Sequence, residues 1–138
     1  PPLASAPPAA QLRAGAHSDY GTLTILMQSG AVEGLEIQNR NGDWIPITGE
    51  APDLIVNIGD LMARWTNNRW VSSVHRVVVP NDAHSRQHWR LSLAYFHQPD
   101  WDAEIRCIPS CLPDEEEPIY PPIRSGRYLM EKFHSTVL

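Results

Sequence analysis

Lysine is nearly absent. Lys132 is the only one among 11 basic residues, and the rest are arginines. Against 16 acidic residues they leave a net charge of -5, and the arginines form no stripe. Nucleic-acid binding needs clustered positive charge, so nucleic acid is not an expected partner. Cysteine is scarce as well: Cys107 and Cys111 are the only two. A disulfide framework needs more, and a structural zinc site needs further Cys or His at short spacing. They read as free thiols, which fits a cytoplasmic, reducing location. No apolar run reaches the ~18 residues of a membrane-spanning helix, so no membrane partner is expected. The chain opens on Pro1-Pro2 rather than Met, and it lacks the charged and apolar regions of a signal peptide. It reads as part of something longer. No internal repeat is visible.

What is present fits one soluble globular domain of 138 residues, long enough for one real core. Residues 1–12 contain Pro1, Pro2, Pro7 and Pro8 and several alanines. Proline cannot donate to a strand ladder, so this is an extended lead-in, with the domain proper over 13–138. A strand runs from Arg13 into the His17–Asp19 pair. Thr22 to Gln28 alternates polar with apolar, a second strand. Gly34 to Gln38 and Trp44 to Ile47 flank Asn41-Gly42, which predicts a hairpin with Pro46 on an edge or at a strand end. Leu54 to Ile58 is a short apolar strand closed by Gly59-Asp60. Leu61 to Thr66 fits a helical turn or a strand equally, and Asn67-Asn68 is a turn.

Val74 to Val79 and Trp89 to His97 are further strands, and residues 99–122 read as proline-rich loop. The run Asp114-Glu115-Glu116-Glu117 reads as a solvated part of it. A helix fits Arg127 to Ser135, with Ser125 as its N-cap. About eight short strands and one C-terminal helix predict an all-β fold, a sandwich or barrel of jelly-roll type.

Ala16-His17-Ser18-Asp19-Tyr20-Gly21 carries the chemistry. On an extended strand residues i and i+2 share a face, so His17 and Asp19 could hold one metal ion together. His75, on another strand, is the candidate third ligand. Two histidines and one carboxylate leave about three positions open, the facial arrangement of non-haem Fe(II) oxygenases. Without that pattern His17 and Asp19 would be a surface turn pair and His75 a core histidine bonded to a carbonyl. Arg90 and Ser92 are again i and i+2. A planar guanidinium beside a hydroxyl suits a carboxylate; Arg90 could instead pair Asp82 or Asp100. Ala94 and Phe96 continue that face as apolar wall. His84, His88, His97 and His134 lack partners at ligand spacing, and His97 falls on the outward face. The five tryptophans read as packing groups, with Trp65 or Trp70 bordering a pocket mouth.

These segments resemble a family. His17-Ser18-Asp19-Tyr20-Gly21-Thr22-Leu23-Thr24-Ile25-Leu26 is similar to the iron- and 2-oxoglutarate-dependent dioxygenases of the isopenicillin N synthase-like superfamily. So, in the same order, are Val56-Asn57-Ile58-Gly59-Asp60, Thr66-Asn67-Asn68, His75-Arg76-Val77-Val78 and Arg90-Leu91-Ser92. The resemblance implies a double-stranded β-helix (jelly-roll) core. It implies His17, Asp19 and His75 as Fe(II) ligands, and Arg90 and Ser92 as the site for the far carboxylate of 2-oxoglutarate. It further implies Fe(II) as cofactor, 2-oxoglutarate and O2 as co-substrates, ascorbate as an optional addition, and oxidation of a small organic molecule with release of succinate and CO2. Some members keep the Arg-x-Ser pattern without using 2-oxoglutarate, so the pattern supports a carboxylate site more firmly than it names the acid.

Family members are longer, and their N-terminal half supplies the first core strand. The core is therefore expected to be incomplete at its N-terminal side. Leu91, Leu93 and Tyr95, on the face opposite Arg90, should then form an exposed apolar patch, met by a partner chain, a dimer or a swapped assembly. Two alternatives stand beside the enzyme: a non-catalytic binding or assembly fragment, and a His/Asp/His zinc hydrolase.

Overall fold

The computed structural model describes residues 12–29, 34–48, 53–79, 91–113 and 116–137. Among the described residues, nine strands come in the order β1 (Leu12–His17), β2 (Leu23–Gln28), β3 (Leu35–Gln38), β4 (Trp44–Pro46), β5 (Leu54–Ile58), β6 (His75–Val78), β7 (Ser92–His97), β8 (Glu104–Ile105) and β9 (Ile123–Arg124). Helix α1 (Asp60–Trp65) lies between β5 and β6, a 3-10 turn covers Pro109–Cys111, and helix α2 (Ser125–Val137) closes the chain. The described strands form three sheets, with orders β1-β6-β3-β4, β5-β2-β7 and β8-β9. Every pairing with a described register is antiparallel. The all-β jelly-roll class with a short C-terminal helix is thus the observed one.

By internal contacts the chain divides into two compact units. The first draws on Pro1–His17, Leu26–Ile55 and Ser73–Ala94, the second on Ser18–Ile25, Val56–Ser72 and Tyr95–Leu138. In the first, the β3–β4 hairpin turns where the sequence predicts it. Gly42 takes φ +89, a conformation other side chains rarely adopt. Asn39 Oδ1 accepts the amides of Asn41 and Asp43 at 2.8 and 2.9 Å, which closes the turn. Pro46 ends β4, the edge strand, where its missing N–H costs no ladder bond. Across β3 and β6, Glu36 faces Arg76 and takes its Nε at 2.6 Å, while the guanidinium lies 4.1 Å from the Trp44 ring.

The second unit holds most of the buried groups. Leu61 and Ile105 are the most enclosed apolar side chains, and Asp19, Thr22, Thr24, Thr66 and Ser125 are buried polar ones. The ambiguous stretch after Gly59 is helical: Ala63 N donates to Gly59 O at 3.1 Å and Thr66 N to Met62 O at 2.9 Å. Asn67 and Asn68 then take positive φ, 52 and 62, as asparagine tolerates better than most residues. Helix α2 begins at Ser125 itself, whose amide donates to Ala103 O at 2.9 Å.

Two expectations need correction. The stretch 99–122 is not all loop: β8 and the 3-10 turn lie in it, and β9 follows at once. Strands of two residues are too short to show a period. Second, β1 stops at His17, so Asp19 does not share a strand face with it. Arg90, Asp82, His84, His88 and Trp89 lie outside the described residues.

Candidate metal centre

The two histidines face each other across a strand pair. His17 ends β1, His75 opens β6, and the register pairs them directly. Their rings are 4.3 Å apart at a 56° tilt. His17 Nδ1 lies 2.7 Å from Gly15 O, and His75 Nδ1 lies 3.0 Å from Ser73 O. A carbonyl only accepts, so in each ring Nδ1 carries the proton and donates. In the neutral ring that leaves the lone pair on Nε2, the tautomer a metal ligand needs.

Asp19 reaches the site by another route. Its carbonyl accepts the amide of Asp60 at 2.7 Å, which ties the segment to the start of α1. Its carboxylate is buried, and Oδ2 accepts from Thr24 Oγ1 at 2.5 Å and from Asn57 Nδ2 at 2.8 Å. Two glycines allow this packing. A Cβ on Gly59 would stand 2.2 Å from Gly21 O and 3.0 Å from Asp19 O, and one on Gly21 would stand 2.6 Å from His97 O. His17 and His75 belong to the first unit and Asp19 to the second. Two neutral imidazole nitrogens and one carboxylate oxygen fit a divalent ion such as Fe(II).

Sequence reasoning treated the neighbours of this trio as strand and turn residues. Tyr20, read as part of a break, sits edge-on to Phe133 at 5.7 Å and hydrogen-bonds Thr136, so α2 rests on the motif itself. Asp60 Oδ2 accepts from Ser18 Oγ at 3.1 Å and from Lys132 Nζ at 2.6 Å. The sole lysine is thereby assigned. Burial alone would lower the Lys132 pKa, but the bond to Asp60 and the charges of Tyr128 and Asp60 outweigh it, and the net shift is upward. Burial raises Tyr128, with Lys132 opposing. These groups line a cleft of about 560 Å3 together with Arg64 and Tyr120. Trp65 and Trp70 line another of about 690 Å3 with Met62, Ile108 and Cys111. His97, exposed as expected, also has a partner: its Nδ1 lies 2.6 Å from Thr22 Oγ1. Ser92 opens β7 and is exposed. Cys107 and Cys111 are both free thiols.

The 2OG-Fe(II) oxygenase superfamily model matches residues 4–99. The chain belongs to that superfamily. Among its relatives is a 2-oxoglutarate-Fe(II) type oxidoreductase, ppzD, of Metarhizium rileyi, 38% identical over 123 residues, which cover 87% of this chain and 35% of that protein. Validamycin A dioxygenase of Streptomyces hygroscopicus subsp. limoneus is 36% identical over 122 residues, covering 88% of this chain and 33% of that one. The crystal structure of a full-length Neurospora crassa protein, solved in complex with alpha-KG, superposes with a TM-score of 0.84 at 40% identity, covering 93% of this chain and 39% of that one. The chain thus spans about a third of the length of these curated relatives. Superfamily membership does not favour the zinc-hydrolase alternative. No helix among the described residues is long and apolar enough to cross a membrane.

Proposed function

We propose that this chain carries the metal- and co-substrate-binding part of an Fe(II)- and 2-oxoglutarate-dependent dioxygenase that oxidises a small organic substrate with O2. The directly paired imidazoles of His17 and His75, each oriented by a backbone carbonyl, carry the proposal together with the superfamily match over residues 4–99. His17, Asp19 and His75 would hold the iron. Bound there, iron would supply the oxidising chemistry, with 2-oxoglutarate leaving as succinate and CO2. The protein's share is geometry. Nδ1–H bonds to Gly15 O and Ser73 O fix each imidazole, and Thr24 and Asn57 fix the carboxylate. Arg90 and Ser92 would grip the far carboxylate of the co-substrate, a guanidinium-plus-hydroxyl match to two oxygens. Hydroxylation or desaturation of an aliphatic C–H bond is the expected outcome. The free thiols Cys107 and Cys111 support a cytoplasmic location.

A second observation bears on partners. Leu91, Leu93 and Tyr95 are 65%, 59% and 60% exposed, as expected of an uncovered face. Burying apolar area of this kind stabilises at roughly 25 cal/mol per Å2. A partner chain, a second copy or a swapped assembly covering β7 is therefore part of the proposal, and a non-catalytic assembly role is the competing one.

Anaerobic Fe(II) with 2-oxoglutarate should give the weak visible charge-transfer band expected when both bind one ion. His75→Ala should abolish it, and Arg90→Ala should weaken 2-oxoglutarate binding while leaving Fe(II) bound. A chain that shows no band at saturating Fe(II) and 2-oxoglutarate would overturn the enzyme proposal in favour of the assembly role.

A further inference from the structure

The two chain neighbours of Asp19 are both anchored, and on different helices. Ser18 Oγ donates to Asp60 Oδ2 at 3.1 Å, in the first turn of α1. The Tyr20 ring meets Phe133 of α2 edge-on at 5.7 Å, and its hydroxyl is hydrogen-bonded to Thr136 of the same helix. Lys132 joins the two anchors. Its Nζ donates to the same Asp60 oxygen at 2.6 Å and lies 5.8 Å from the Tyr20 ring. The main chain of the segment is fixed too. Amides at a helix start have no partner within the helix. Those of Gly59, Asp60 and Leu61 donate to the carbonyls of Thr22, Asp19 and Gly21 at 2.9, 2.7 and 3.1 Å. Segment 18–22 and the start of α1 thus hold each other, and α2 closes on both through side chains.

We infer that helix α2 is a positioning element for the metal centre: Lys132 and Phe133 hold the segment that carries Asp19, so that docking of the helix and binding of the ion strengthen each other. The inference rests on the dioxygenase proposal above. Lys132 acts through Asp60 and Phe133 through Tyr20. With the helix released, Asp60 loses its cation and Tyr20 its ring contact, and the segment between them gains freedom. A ligand that must be ordered on binding costs affinity that a preorganised one does not. The coupling is one free energy shared by two equilibria, so it is reciprocal. An ion at the centre therefore also holds α2 in place. The helix carries its own reporter. Lys132 is the sole lysine, and its bond to Asp60 favours the protonated, unreactive amine.

Mn(II) is the probe for the whole chain, because it takes nitrogen and oxygen ligands as Fe(II) does and tolerates air. Its affinity is read from the electron paramagnetic resonance of the free ion, at a temperature where circular dichroism shows each variant fully folded. Lys132→Met and Phe133→Ala should each weaken Mn(II) binding about 3- to 10-fold, less than the loss on removing a direct partner of a metal ligand. Lys132→Arg keeps a cation for Asp60 and should retain the affinity. Arg127→Met breaks the exposed Arg127–Glu131 pair of the same helix and should leave the affinity unchanged. In the unsubstituted chain, saturating Mn(II) should slow acetic anhydride labelling of Lys132 by about the same 3- to 10-fold, read on the peptide that carries it. If Lys132→Met does not fold, Phe133→Ala and the labelling rate decide.

Lys132→Met and Phe133→Ala chains that bind Mn(II) as tightly as the unsubstituted chain, whatever their melting temperatures, would reduce α2 to a structural role and overturn the inference. A labelling rate that Mn(II) leaves unchanged would do the same. An unsubstituted chain that binds neither Mn(II) nor Fe(II) would instead sink the dioxygenase proposal itself, and this inference with it.

Discussion

The histidines and the aspartate of the candidate centre are held by different kinds of structure. His17 and His75 sit opposite each other in one strand pair, and each is oriented by the carbonyl two residues before it. One is exposed and the other half-buried. Each ring's orientation is local, and the two rings face each other once β1 and β6 pair in register. Asp19 is buried, and its orienting groups come from 5 and 38 residues away in sequence. Around it, backbone passes so close that Gly21 and Gly59 cannot carry side chains. The imidazoles are turned by carbonyls of their own segments, whereas the carboxylate is held in a closed tertiary environment. Damage should therefore register in stability on the aspartate side and in ligand binding alone on the histidine side.

The sharpest way to break this contrast is at the glycines. Gly59→Ala would drive a methyl to 2.2 Å from Gly21 O, and main chain cannot yield cheaply. We expect a loss of about 3 kcal/mol or more, read as a lowered denaturation midpoint. Thr24→Val should come next, at about 1–3 kcal/mol, because it leaves a buried carboxylate oxygen short of a donor. A midpoint unchanged by Thr24→Val would mean that the aspartate side is no more closed than the histidine side.

Alkali should act on the aspartate side too. Tyr128 and Lys132 have folded pKa values above their ordinary 10.0 and 10.5. The folded chain thus holds these protons more tightly than the unfolded one. The associated stabilisation is complete below about pH 10 and is lost as pH rises through the raised values. Lys132 is one-third exposed and partly screened, so Lys132→Met should cost only about 1 kcal/mol or less and should flatten the alkaline limb of a stability–pH curve. A limb of unchanged steepness in that variant would remove Lys132 from the account. The smallest effect belongs to the histidine side. Gly15, whose carbonyl orients His17, has nothing within 4 Å of a Cβ. Gly15→Ala should shift stability by less than about 0.5 kcal/mol.

The same contrast explains how much of the site was legible in the sequence. The hairpin at Asn41-Gly42 and the strand ending at Gln28 are written in local chemistry and alternation. The candidate trio rests on an H-x-D pair with a distant histidine on a β-prone run. The supports of Asp19 were not legible in that way. Thr24 and Asn57 look like ordinary strand residues until β2 and β5 are neighbours in one sheet. Six residues, Asp60–Trp65, are too few to show a helical period, and their state is settled by backbone bonds from Gly59 and Gly21. The geometric premise that made His17 and Asp19 a pair was wrong, since β1 ends at the histidine. Tyr20 shows the opposite case: a turn signal hid a contact to the far end of the chain.

The scarcity of lysine has a practical chemical consequence. Lys132 carries the chain's only side-chain amine, and it is engaged with Asp60 at 2.6 Å. A protonated, ion-paired amine is a poor nucleophile toward acylating reagents. Acylation at lysine in this chain has a stoichiometry of one and reports on one contact. Its rate, followed by the mass of the intact chain, would time the release of helix α2 from Asp60.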